Sequence, residues 1–196
     1  MMDNHEKPML IVLSGPSGAG KDAVLSRMKD KNLPYCFTVT TTTRKRRSDE
    51  IEGVDYIFVS KNKFETMIEN DELLEWAEVY GNLYGVPKYQ ITAPLKDGKD
   101  VIVKTDVQGA ATIKRLIPEA ILVFLSVENP SDLETRLAAR MTETNSSLNL
   151  RVDTAKSEIA EAASFDHVLI NKQNRLDETV KNFESIIEVE RSRSSN

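Results

Sequence analysis

The sequence predicts an α/β fold with a mainly parallel sheet flanked by helices. Three observations carry this. Short, apolar, β-branched runs recur at residues 9–13, 101–103, 121–125 and 168–170, and read as buried strands. Stretches with helical spacing lie between or after them, at residues 22–29, 108–116, 131–139, 150–163 and 175–190. A glycine-rich turn joins the first strand to the first helix. Strands that alternate with helices and carry no polar face belong to a parallel sheet covered on both sides.

The first strand, MLIVL, runs into GPSGAGKDAV, residues 15–24. Gly15, Gly18 and Gly20 let the backbone turn its N–H groups inward around an anion, and the following helix adds its positive end. Lys21 supplies a cation for terminal phosphates. Strand, glycine loop and helix occur in the order a phosphate loop requires, with Pro16, Ser17 and Ala19 filling the turn. The core is therefore a P-loop NTPase core. Asp22 departs from the motif, which places Ser or Thr after the lysine so that a hydroxyl can sit on Mg2+.

Residues 40–88 break the strand–helix rhythm. Alternating segments at 56–59 and 73–79, a helix near 63–69 and the one tryptophan indicate a small α+β insertion. Residues 141–149, MTETNSSLN, have no core pattern and read as a lid. The tail from Arg191 is polar and reads as flexible. No internal repeat is evident.

At 196 residues the chain can bury one sizeable core. Its net charge of −5 gives no general attraction to nucleic acid or anionic membrane, so any basic site is local. A lone cysteine, Cys36, reads as a small buried residue and favours a reducing compartment. Two histidines, His5 and His167, are too few for a metal cluster. No signal segment or membrane-length apolar run is present, which indicates a cytoplasmic protein.

The block TVTTTTRKRRSDE, Thr38 to Glu50, places four consecutive cations, Arg44 to Arg47, in this acidic chain. Arginine binds phosphate bidentately, and hydroxyl residues precede the cluster. Taken alone, the cluster reads as a solvated basic turn, the commoner case, with a nucleic-acid contact as the alternative.

The order of GPSGAGK, TTRKRR, GVDYIFVS, LLEWAEVYGNLYG and DVQGA resembles that of guanylate kinases, from about Met9 to Ile187. The resemblance implies a core of residues 8–39, 91–131 and 152–190, a GMP-binding domain of residues 40–90, a lid of residues 132–151, and flexible tails at 1–7 and 191–196. It implies transfer of the γ-phosphoryl group of ATP to GMP, with Mg2+ accompanying ATP. The loop from Gly15 to Asp22 then holds ATP. Arg44 and Arg47 match the arginines that hold the GMP phosphate. Tyr56 and Tyr84 match tyrosines on that phosphate. Glu75 matches the carboxylate that accepts from guanine N1 and N2, and Asp106 a second acid near the base. Arg136, Arg140 and Arg151 match arginines of the lid and its hinges. With Lys21 and Arg44 they form the catalytic set, which positions and neutralises rather than reacting covalently.

Four positions depart from the family pattern. Thr40 replaces a base-contacting Ser and keeps the hydroxyl. Val86 replaces another such Ser and loses a hydrogen bond. Asp22 replaces the loop hydroxyl, and Lys104 stands where an Asp ends the second core strand. A hydroxyl and an acid have become an acid and a cation, so Asp22 and Lys104 are expected to pair beside the loop and alter the Mg2+ site. Either Lys104 takes part of the metal's neutralising role, or Mg2+ is held by ATP and Asp22. A catalytically weakened guanylate-kinase-like binding module and a kinase for another nucleoside monophosphate are the alternatives.

Overall fold

A computed structural model describes residues 7–129, 132–133, 154 and 157–194. The first strand, β1 (Leu10–Ser14), is buried at every position. The glycine loop leads into α1 (Lys21–Asp30), which begins at a left-handed Gly20 with φ 99°. Then come β2 (Cys36–Phe37), β3 (Thr41–Thr42), β4 (Ile57–Phe58), α2 (Lys61–Glu69), β5 (Leu73–Val79), β6 (Asn82–Pro87) and α3 (Tyr89–Lys96). The chain continues through β7 (Val101–Lys104), α4 (Val107–Leu116), β8 (Ile121–Ser126), a 3-10 turn (Glu161–Ser164), β9 (His167–Ile170) and α5 (Leu176–Ser194).

One sheet has the strand order β2-β7-β1-β8-β9, and its β2–β7 and β8–β9 pairs are parallel. The four expected core strands all form, each within one residue of its expected ends. β7 and β8 are buried throughout, as their uninterrupted apolar runs require. The last strand is a correction. Val168 and Ile170 are exposed and only Leu169 is fully buried, because β9 is an edge strand with one face open.

The second sheet has the order β4-β3-β6-β5. β5 and β6 form a hairpin closed by Tyr80 and Gly81, both at positive φ (50° and 73°). A two-residue loop with φ above zero at both positions matches the right-handed twist of its flanking strands. Phe64 and Met67 of α2 pack on Leu73, with Val59, Ile68 and Leu83 around them. The insertion therefore has a small core of its own.

By contacts, the described chain divides into two units. One takes in the described residues up to Val12 and Pro34–Ile121; the other takes in Leu13–Leu33 and the described residues from Leu122 to Ser194. In the second unit α1 packs against α5, with Val24, Leu25 and Met28 buried on α1 and Val180, Phe183 and Ile187 buried on α5. α5 corrects the expectation of a flexible tail from Arg191, for it is helical to Ser194. Arg193 pairs with Glu190 one turn back, and cations near a helix C-terminus oppose its dipole favourably. Cys36 is also corrected: it is half-buried, since β2 lies at the other sheet edge.

Candidate functional site

In the second unit, the loop after β1 is shaped by its backbone. Gly15, Gly18 and Gly20 have φ of 138°, 87° and 99°, a region L side chains rarely adopt. A Cβ on Gly15 would strike the carbonyl of Leu125 in β8, so only glycine fits there. Lys21 Nζ donates to the carbonyls of Gly15 at 2.5 Å and Pro16 at 3.2 Å, which holds its ammonium over the loop. The amide of Asn171, just past β9, donates to Ala19 O at 2.7 Å and accepts from Thr179 Oγ1 at 3.1 Å. Ser17 N donates to a Glu158 carboxylate oxygen at 3.3 Å. A loop N–H thus already faces an anionic oxygen. Asp22 is exposed in the first turn of α1.

In the first unit, the basic run divides. Lys45 and Arg46 are exposed, whereas Arg44 and Arg47 are half-buried and converge on Glu50. Arg44 donates to both Glu50 oxygens, at 2.6 and 3.1 Å. Arg47 N donates to Glu50 at 2.8 Å, and its guanidinium lies 3.7 Å from the same carboxylate. Burial pushes the Glu50 pKa up, but the hydrogen bonds and charges of the two arginines outweigh it and hold the carboxyl below its ordinary range. Burial likewise lowers that of Arg44, yet Glu50 and Tyr84 raise it overall. Arg44 Cζ lies 5.2 Å from the Tyr56 ring centre, and the Tyr56 and Tyr84 rings meet edge to face at 6.2 Å. Tyr84 sits within β6 opposite Thr42.

Glu75 lies in β5, paired across the sheet with Val86, and is only 4% exposed. Thr105 Oγ1 donates to its Oε1 at 2.9 Å, while Oε2 is buried with no hydrogen-bond partner. Burial pushes its pKa up to about 7; the Thr105 hydroxyl opposes this and the Asp106 charge adds to it. Asp106 caps α4 by accepting from Gly109 N at 2.8 Å. A Cβ at Gly109 would collide with the Glu75 carboxyl and Thr105 Oγ1, so the glycine of the QGA motif makes room for that carboxylate. Thr40 Oγ1 donates to Lys104 O at 3.1 Å. Val86 is fully buried.

The structure brings Arg44, Arg47, Tyr56 and Tyr84 together, and likewise Glu75, Asp106, Thr40 and Val86 around β5, β6 and the end of β7. Arg136, Arg140 and Arg151 lie outside the described residues. Sequence reasoning passed over Glu50, Thr105, Glu158 and Asn171. Glu50 closes the very block that begins with the threonines, three residues after Arg47, the spacing of a tight turn.

A glycine loop at a helix N-terminus, on a parallel sheet with a small insertion built on a mixed sheet, defines a phosphate-loop nucleotide kinase. The guanylate kinase family model matches residues 7–190. The chain is 45% identical over 188 residues to guanylate kinase 2, chloroplastic/mitochondrial, of rice, covering 95% of this chain and 66% of the rice protein. It is 40% identical to the guanylate kinase of Carboxydothermus hydrogenoformans, covering 94% of this chain and 90% of that one. The crystal structure of guanylate kinase from Anaplasma phagocytophilum superposes with a TM-score of 0.77 at 27% identity, over 95% of this chain and 87% of that one. This chain belongs to the guanylate kinase family, and it transfers the γ-phosphoryl group of ATP to GMP, giving ADP and GDP.

Proposed function

We propose that two separately built groups of side chains serve the two substrates. The loop of residues 15–20, with Lys21 and Asp22, holds the ATP phosphates. Arg44, Arg47, Tyr56 and Tyr84 hold the phosphate of GMP, and Glu75, Asp106 and Thr40 face its guanine. An oxygen of the GMP phosphate attacks the γ-phosphorus, and the bond from that phosphorus to the ADP oxygen breaks. Lys21, Arg44 and the lid arginines Arg136, Arg140 and Arg151 spread the charge of the transferring group. A core of residues 8–39, 91–131 and 152–190, an acceptor domain of residues 40–90 and a lid of residues 132–151 divide these tasks.

The observation that supports this best is Glu75. Its unpartnered Oε2 is a buried acceptor that needs a donor, and guanine offers two at N1 and N2. Adenine offers an acceptor at N1 and would leave the carboxylate unsatisfied. Val86, opposite Glu75 and apolar, adds no hydrogen bond, so selectivity rests on the acids. A coupled assay of ADP formation with GMP, dGMP, AMP and UMP tests the reading: the guanine nucleotides turn over and the other two do not. Equal turnover of AMP would contradict it, and GMP binding with no turnover would indicate a binding module.

Mg2+ prefers one or two carboxylates together with substrate phosphates and water. Among the described residues no three His, Cys, Asp or Glu side chains gather as metal ligands. Asp22, an exposed carboxylate in the first turn of α1, fits as the single protein ligand. Bound with ATP, the ion neutralises phosphate charge. Lys104 has no lone pair to offer while protonated, so a cation stands at the strand end where the family pattern has an acid. A Mg2+ titration of wild type and of Asp22→Ser with Lys104→Asp separates the cases. Different metal dependences are expected; identical curves, with each single substitution harmless, overturn the altered site.

The chain acts in the cytoplasm, a reading that rests on its single cysteine, which forms no internal disulfide. Its partners are the nucleotides; with a net charge of −5, neither nucleic acid nor membrane is among them. No described helix is long and apolar enough to cross a membrane.

A further inference from the structure

We infer that Lys104 binds the phosphate monoester of the acceptor nucleotide, as a third cation beside Arg44 and Arg47. The inference rests on the reading that this cluster holds GMP. It does not depend on the pairing with Asp22.

Lys104 is the last residue of β7 and only 8% exposed. In parallel α/β sheets ligands bind beyond the carboxyl ends of the strands, where this side chain stands. Its Nζ lies 4.1 Å from the Tyr56 ring centre, and the Arg44 guanidinium lies 5.2 Å from the same centre. Two cations thus reach the ring of one tyrosine of the cluster.

The next two residues point the same way. Thr105 donates to Glu75, and Asp106 caps α4 while its charge acts on Glu75. One strand end therefore sends Lys104 toward the tyrosine–arginine cluster and Thr105 toward the guanine carboxylate. That matches the two ends of one nucleotide.

Charge makes the same demand. Arg44 and Arg47 share the carboxylate of Glu50, so these three groups carry a single net positive charge. A phosphate monoester carries close to two negative charges at neutral pH. Lys104 brings a further ammonium to that cluster.

Calorimetric binding of GMP, AMP and guanosine, without ATP or metal, tests this with wild type, Lys104→Met and Lys104→Arg. Methionine keeps the buried stem and removes the charge; arginine keeps the charge. Lys104→Met is expected to weaken GMP about tenfold or more while guanosine binds as before, and Lys104→Arg to recover most of the loss. Unchanged GMP affinity in Lys104→Met overturns the inference. So does equal weakening of GMP and guanosine, which marks a merely structural role. A wild type that binds AMP as tightly as GMP fails differently: it overturns the nucleotide reading, and the Lys104 assignment with it.

Discussion

The phosphate loop and the arginine cluster are both built for phosphate, but from different materials. Around the loop the chain uses backbone: three glycines at positive φ, a helix N-terminus, and a lysine folded onto two loop carbonyls. Around β3 and β6 it uses side chains, two arginines held in place by Glu50 and by aromatic faces. A backbone site has almost no intermediate state, because a misplaced N–H also means a misplaced chain. A side-chain site degrades one charge at a time.

The sharpest way to break that comparison is Gly15→Ala. The added Cβ meets the Leu125 carbonyl, which belongs to a buried strand and cannot move aside. The φ of 138° adds strain. A stability loss of about 3 kcal/mol or more is expected in urea melts, with ATP binding abolished, because clash and strain act together. A variant of wild-type stability that still binds ATP would show that the loop tolerates a side chain.

Arg44→Met should be milder, and confined to one substrate. It removes the bidentate contact and leaves Glu50 with Arg47 alone. We expect kcat/KM for GMP to fall about a hundredfold, the scale of losing one charge-assisted fork, with KM for ATP unchanged. Arg44→Lys should recover only part of this, since an ammonium lacks the planar fork. An equal rise in KM for ATP would erase the distinction between the two sites.

These differences in material also explain what was legible in sequence. The buried strands declared themselves as apolar runs, and glycine spacing revealed the loop. The pairs β2 and β3 did not, for two-residue strands carry no periodicity to read, whereas β4 falls inside the alternating segment at 56–59. β6 was hidden because its residues, NLYGVP, mix a glycine, a proline and a tyrosine without alternation, and α3 because Pro94 interrupts it. Arg44 and Arg47 could be singled out from Lys45 and Arg46 through the family motif. Nothing in a run of four cations says which two turn inward; Glu50 and the aromatic rings decide that in three dimensions. Thr105 and Asn171 act through long-range contacts, 30 and 152 residues from their partners, which local patterns do not encode.

Glu75 offers the subtlest test, because the two sites also differ in how they respond to protons. Arg44 and its partner Glu50 hold each other charged across neutral pH, whereas burial pushes Glu75 up to about 7 from an ordinary 4.5. The sign follows from linkage. A carboxyl whose folded pKa is raised contributes stability that is present below about 4.5 and lost as the pH climbs toward 7. Guanine reverses the penalty, since its N–H donors satisfy the ionised form and not the neutral one. Guanosine, which lacks the titrating phosphate, should therefore bind about tenfold more tightly at pH 8 than at pH 6 and release a proton near neutrality. Calorimetry in two buffers of different ionisation enthalpy reads both effects. In Glu75→Gln the pH dependence should vanish and guanine selectivity weaken, because the amide offers one acceptor where the carboxylate offers two. A pH-independent guanosine affinity in wild type would mean that Glu75 is already ionised in the empty protein. The acceptor site would then be as fixed in charge as the loop is in shape.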